Sequence, residues 1–263
     1  MKLVTAGDNC IDYYINSDKG FPGGNPVNVA VYAKRYISDV SYIGVVGDDR
    51  YGDIMLSSLK KKDVDISSVT VVPGGKTSVT EVELVGSERV FRSYDEGVHA
   101  SFRMTDEQIM KCCSADAFVT GIWGRCEDYL KIIHDSGVTV TFDFATKLDT
   151  PVFPKVARYV DYSFFSWEGD KDEESIKAFM KDCIEKGTKC VVVTLGSDGS
   201  IAYDGKEFHR MGIIKCNVVD TMGAGDSFIA GFVCGILNGS SLEDAMKKGT
   251  ESSAVTIQYN GAW

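Results

Sequence analysis

The chain has 263 residues, 44% hydrophobic and 25% charged, with a formal net charge of −10. That length suits one large α/β domain or two small ones. The acidic balance argues against a nucleic-acid backbone or an anionic membrane as partner, whereas a local cradle of backbone amides can still bind a phosphate. No apolar run approaches a membrane span, and the few apolar residues after Lys2 end at Asp8, too short for a signal-peptide core. Eight scattered cysteines without a CxxC pair read as buried small hydrophobes in a reducing cytoplasm, and three distant histidines do not suggest zinc.

In chain order, Leu3–Ala6, Ser41–Val46, Ala117–Gly121, Val138–Phe144, Tyr162–Ser166 and Cys190–Leu195 are predicted as buried strands. Helical patterns fall near Asn28–Tyr36, Gly52–Lys62, Asp106–Lys111, Glu127–Asp135, Glu173–Lys186, Asp226–Asn238 and Leu242–Thr256. This alternation implies a mostly parallel sheet with helices on both faces. Ligands in such folds bind beyond the carboxyl ends of the strands, so the exits at Gly7-Asp8, Gly47-Asp48, Gly121 and Asp143 are expected to line a site. Residues 77–100 break the rhythm with a period of two, interrupted by a turn at Gly86-Ser87; Asp12–Ile15 offers a further strand to pair with that hairpin.

Three motifs carry chemistry. In Asp220-Thr221-Met222-Gly223-Ala224-Gly225-Asp226-Ser227-Phe228, a tight loop runs into a helix, so that backbone N–H groups meet the positive end of the helix dipole. An anion cradle with a carboxylate beside it is what a hydroxyl needs when it attacks a phosphoryl group. In Gly23-Gly24-Asn25-Pro26-Val27-Asn28, Asn25 reads as an N-cap with Pro26 at the first helical position, and the amides of Asn25 and Asn28 suit neutral hydroxyls. Asp12, just after the first strand, can accept hydrogen bonds from adjacent hydroxyls of a polyol. The third motif, Thr194-Leu195-Gly196-Ser197-Asp198-Gly199, is a glycine turn at a strand exit, fit for a ribose, a phosphate or a plain β-turn.

Together, GGNxxNxA near the start and DTxGAGDxF near the end resemble the ribokinase-like (PfkB) carbohydrate kinases. The resemblance covers the whole chain. It implies a single domain over residues 1–263, a three-layer Rossmann-like sheet with helices on both faces, and a small β lid formed by about 12–22 and 77–100. It implies Asp226 as general base and the amides of Gly223, Ala224, Gly225 and Asp226 as anion hole. Asp12, Gly24, Asn25 and Asn28 would hold the sugar, and Thr194, Gly196 and Gly199 would border the ATP. The implied cofactors are ATP and Mg²⁺, with Asp220 and Thr221 at positions that border a monovalent cation such as K⁺ in some members. The lid would close over the site to exclude water, and is a candidate homodimer contact.

Two departures from the family pattern stand out. The NxxE element that supports Mg²⁺ in many members reads Ser166-Trp167-Glu168-Gly169, leaving only Glu168 as a substitute. DxNxR is replaced by Asp143-Phe144-Ala145-Thr146-Lys147. Stretches such as GDNCID and GGNPVNVAVY are similar to the members that phosphorylate the 6-hydroxyl of Amadori sugars, in which fructose carries lysine through an amine. On that resemblance Glu96 or Asp95 in the lid would pair with the amine. A kinase for another ketose, an amino sugar or a nucleoside fits the same motifs. A catalytically silent sugar- or nucleotide-binding regulator is the alternative from another class, which the retained Asp226 disfavours. A Rossmann dehydrogenase lacks its GxGxxG after the first strand, and no GxxxxGK[ST] appears.

Overall fold

The computed structural model describes residues 1–85, 88–170 and 172–263, with backbone alone for residues 84, 85 and 88–91. The expected turn at Gly86-Ser87 therefore falls outside the described residues. The strands are β1 (Lys2–Ala6), β2 (Cys10–Tyr14), β3 (Lys19–Gly23), β4 (Asp39–Ile43), β5 (Val45–Gly47), β6 (Thr70–Val72), β7 (Val79–Val85), β8 (Glu88–Asp95), β9 (Ala117–Gly121), β10 (Thr139–Asp143), β11 (Tyr162–Ser166), β12 (Cys190–Thr194), β13 (Ser200–Tyr203) and β14 (Phe208–Met211). The helices are α1 (Asn25–Ala33), α2 (Arg50–Lys61), α3 (Asp106–Cys113), α4 (Leu130–Asp135), α5 (Phe153–Val156), α6 (Glu173–Glu185), α7 (Ala224–Leu237) and α8 (Leu242–Thr256).

The main sheet runs β14-β13-β12-β11-β10-β9-β1-β4, parallel from β12 to β4, with β13 and β14 added antiparallel at one edge. Its two faces follow from side-chain alternation along each strand. Leu3 and Val192 pack among residues of α1, α2, α7 and α8, whereas Val4, Val191 and Val193 pack among residues of α3 to α6. Helices on both faces explain why these strands are near-continuous apolar runs.

Three expectations change. The strand expected over Ser41–Val46 is split by Gly44, where a Cβ would sit 2.1 Å from the Tyr42 Oη; β4 stays in the main sheet and β5 pairs with β6. The helix expected from Asn28 starts at Asn25, and its cap is Gly24 rather than Asn25. Gly24 has φ 108°, and a Cβ there would lie 2.7 Å from both Asn9 Cα and Asp8 O, so only glycine fits. Glu127–Asp135 divides into a 3₁₀ turn over Glu127–Tyr129 followed by the short α4.

The segments expected to form a lid lie in a second sheet of order β3-β2-β7-β8. One of its faces rests on α2: Tyr13 meets the Tyr51 ring edge-on at 5.9 Å, and Arg50 lies over both rings. Asp12 belongs to the opposite face, opposite Phe21 and Thr80 in register. All eight cysteines are free, and among the described residues no helix is long and apolar enough to cross a membrane.

Candidate active site

Because β12, β11, β10, β9 and β1 are parallel, their carboxyl ends share one edge of the sheet. Along it stand the turn at Gly196, the Trp167-Glu168 exit, Asp143, Gly121 and Gly7-Asp8. Three of the four exits expected to line a site therefore share this edge. The fourth, Gly47-Asp48, ends β5 of the separate β5-β6 sheet, where Asp48 Oδ1 accepts the Gly74 N–H at 2.7 Å in the turn that follows β6.

The amino end of α7 meets this edge. Gly223 is its cap, in the left-handed region at φ 72°, with a hypothetical Cβ only 2.3 Å from Tyr32 Oη. The first-turn amides have no partner inside the helix. Of the four expected in the anion hole, Ala224 donates its N–H to Thr221 O at 3.2 Å, closing the turn before the helix, while Gly225 and Asp226 keep the first-turn position. α8 fastens this helix start through Ser253 Oγ, which donates to Ala224 O at 2.7 Å. The buried Ser227, Ser252 and Thr256 hydroxyls form a chain between the two helices.

Asp226 projects from this first turn toward α1. Its Oδ1 accepts from Asn25 Nδ2 and its Oδ2 from Asn28 Nδ2, both at 2.7 Å. The second hydrogen of the same Asn25 nitrogen goes to Asp143 Oδ2 at 2.8 Å. An amide nitrogen has two donors, and carboxylates only accept, so this arrangement fixes the orientation of Asn25. It also explains why Asn25 does not cap its helix: a local rule yields to two carboxylates from residues 143 and 226. Asn28 is oriented from the other side, since Trp263 Nε1 can only donate and gives its hydrogen to Asn28 Oδ1 at 2.7 Å. The tail carrying Trp263 is anchored by Tyr32 Oη donating to Ala262 O and by Gly261 N donating to Asp220 Oδ2.

Electrostatics follow from burial. Desolvation raises Asp226 to about 6, against the two amides, which hold it down. Asp143 is raised to about 7, first by burial and then by the charge of Asp226, with the Ala145 N–H opposing. Asp8 is raised to about 6 by burial, with the Asn25 N–H opposing at 3.3 Å. Three carboxylates thus converge on Asn25 and its neighbours.

The other predicted residues fall as follows. Asp12 lies beside the glycine motif, its Oδ2 3.3 Å from where a Gly23 Cβ would be. Glu96 is held by Arg125, whose Nη2 and Nε donate to Oε1 at 2.5 and 3.2 Å, and Asp95 Oδ1 accepts its own turn's Gly97 N–H at 2.9 Å. Thr194 ends β12 with its hydroxyl 3.2 Å from Ser166 Oγ. Gly196 and Gly199 have φ of 60° and 87°, and a Cβ on Gly199 would lie 2.0 Å from Met211 O. Asp220 Oδ1 accepts from Met222 N at 3.0 Å, and both Thr221 and Glu168 are exposed, the latter past the end of β11. Among the described residues no group of three or more His, Cys, Asp or Glu forms a ready metal cage.

Four residues of the site have no role in the three motifs: Asp8, Asp143, Arg125 and Trp263. The first two carry a signal all the same, since both stand at strand exits.

A carboxylate clamped at the amino end of a glycine-started helix, at the carboxyl edge of a parallel sheet, is compatible with a phosphotransferase acting on a hydroxyl. The pfkB family carbohydrate kinase model matches residues 9–263, and the chain belongs to that family. It is 44% identical to fructoselysine 6-kinase of Shigella flexneri over 99% of each chain, and 43% identical to that of Escherichia coli (strain K12) over the same shares. It is 34% identical to a fructosamine kinase of Bacillus subtilis (strain 168), over 100% of this chain and 93% of that one. Among solved structures, Arabidopsis thaliana ribokinase complexed with ribose and ATP superposes with a TM-score of 0.92 at 22% identity, over 99% of this chain and 93% of that one, which establishes the fold.

Proposed function

We propose that this chain is an ATP-dependent kinase that transfers a phosphoryl group to the 6-hydroxyl of fructoselysine. The observation that carries the transfer chemistry is the Asp226 carboxylate, gripped by Asn25 and Asn28 beside the first-turn amides of α7. The acceptor rests on the 43–44% identity to fructoselysine 6-kinases over nearly the whole chain. Asp226 takes the proton of the 6-hydroxyl, the oxygen bonds to the γ-phosphorus, and the bond from that phosphorus to the β–γ bridging oxygen breaks to leave ADP. The amides of Gly223, Gly225 and Asp226 face the charge of the transferring group, joined by Ala224 when its turn opens. A base of pKa about 6 is well matched to this step, being ionised at neutral pH yet still basic.

Asp12, Gly24, Asn25 and Asn28 hold the sugar, and Glu96 with Arg125 borders its charged end. Thr194, Gly196 and Gly199 border the nucleotide. Ile213, Ile214, Val218 and Val219 are exposed in the segment that follows β14 past the Gly199 contact, and offer an apolar surface for a flat base. Mg²⁺, when bound, neutralises the phosphates, with Glu168 the carboxylate nearest in sequence to the family's metal element. Asp220 and Thr221 stand at the monovalent-cation position. The exposed Ile15 and Phe21 of the lid support a homodimer through that sheet. A coupled ADP-release assay across fructoselysine, related Amadori sugars, fructose, ribose and nucleosides tests the reading. Fructoselysine is expected to give the highest kcat/KM, and a preference for ribose or a nucleoside would overturn it.

A further inference from the structure

Among the site's carboxylates, Asp8 has no evident part in the transfer. It is 9% exposed at the exit of β1. One oxygen, Oδ2, accepts the Asn25 N–H at 3.3 Å; the other, Oδ1, is buried and meets no partner among the described residues. Asp143 and Asp226 bring further negative charge toward it, and the nearby Arg125 is already bound to Glu96. A buried carboxylate oxygen without a partner is costly unless it takes up a proton or meets a donor, and a cationic group of a bound ligand would bring both a donor and a charge.

The placement says which part of a ligand this would be. Asn25 touches Asp8 through its backbone N–H and Asp226 through its side chain, so the two carboxylates are separated by the reach of one asparagine. A hexose spans such a gap, with the hydroxyl to be phosphorylated at Asp226 and its far end at Asp8. Gly7, just before Asp8, is covered by the backbone of Gly124, where a Cβ would meet Gly124 Cα at 2.5 Å, so the chain leading to Arg125 passes close to the exit of β1.

We propose that Asp8 is the counter-ion of a secondary ammonium at the first carbon of the acceptor, and so the residue that selects an Amadori sugar over the parent ketose. The proposal rests on the acceptor reading above. Three acceptors separate the two: fructose, 1-deoxy-1-methylamino-fructose, which has the ammonium without the amino acid, and fructoselysine. Wild-type enzyme is expected to favour the methylamino sugar over fructose by roughly 10- to 100-fold in kcat/KM, the range of one charged hydrogen bond. In Asp8→Asn, whose side-chain oxygen can still accept the Asn25 N–H, this ratio should fall to within about twofold of unity, the charge interaction being gone. Asp8→Glu should retain the order of acceptors at a lower rate, and ADP binding by both variants reports that they are folded. A preference that survives in Asp8→Asn overturns the proposal, as does a wild-type enzyme that phosphorylates fructoselysine but treats the methylamino sugar like fructose. Failure of the wild type on both amino sugars, with turnover of fructose, would instead overturn the acceptor reading.

Discussion

The two halves of the site are built on different principles. On the proposed acceptor side, side chains from the exit of β1, from β10, α1, α7 and the tail are wired together by hydrogen bonds of 2.7 to 3.3 Å, with Asn25 and Asn28 at the centre. On the proposed nucleotide side the features are the left-handed Gly196 and Gly199 and the exposed apolar residues between 213 and 219. A network of side chains discriminates among hydroxyls, amines and their positions, because each group left unpaired is costly. A glycine turn and an apolar strip give shape and close approach, which suits a ligand that every member of a kinase family shares.

Substitutions should expose this contrast, beginning with the most damaging. Asp226→Asn is expected to lower kcat by about 10²- to 10⁴-fold, the contribution of a positioned base, while ADP binding measured by calorimetry stays within about twofold. Retained turnover would remove Asp226 from the role of base. Asn25→Ala takes away a donor that favours the ionised form of Asp226 and Asp143, so both carboxyls should titrate at higher pH. In the wild type the rate should fall as pH drops through about 6, where Asp226 gains a proton; in the variant that acid limb should move upward, with kcat/KM down roughly 10- to 100-fold at pH 7. An unmoved limb would show that the network positions the sugar without tuning the base.

On the other half, Gly196→Ala meets open space for its Cβ but keeps a left-handed φ of 60°. The strain of about 1–2 kcal/mol should raise the KM for ATP several-fold and leave the acceptor KM alone. Equal effects on both KM values would merge the two halves into one unit. The mildest change concerns stability. The folded pKa of Asp143, about 7, lies above its ordinary 3.8, so its favourable contribution is complete below 3.8 and is lost as pH rises through 7. Asp143→Asn should therefore raise Tm at pH 8 by about 2–4 °C, for roughly 1 kcal/mol, with the gain shrinking toward pH 4. A lower Tm at pH 8 would mean that the bond to Asn25 outweighs the burial of charge.

What is legible in the sequence is whatever is local. Asp226 stands in a loop-to-helix motif, Asn25 and Asn28 stand in one glycine-preceded turn, and the parallel sheet follows from apolar runs bounded by exits. Asn25 reads as a cap because Asn-Pro at a helix start is a capping signature; its true partners, 118 and 201 residues away, are invisible to any local rule. The strand-exit rule brings Asp8 and Asp143 to the site, but their burial and mutual repulsion need the fold. β13 and β14 leave little trace because each is four residues long and only partly apolar. The β2-β7-β8 part of the second sheet betrays itself by its period of two, although β3, with Gly20, Pro22 and Gly23, has little of a strand's composition.

The bond from Trp263 to Asn28 joins positions 235 residues apart. During synthesis, α1 leaves the ribosome roughly 10–50 s before the indole that fixes its amide exists, at the usual pace of elongation. The nascent chain can thus assemble the β1–α1 region early while Asn28 is still free to turn its amide either way. A chain not yet extended to Trp263 therefore lacks the bond that fixes the Asn28 amide against Asp226.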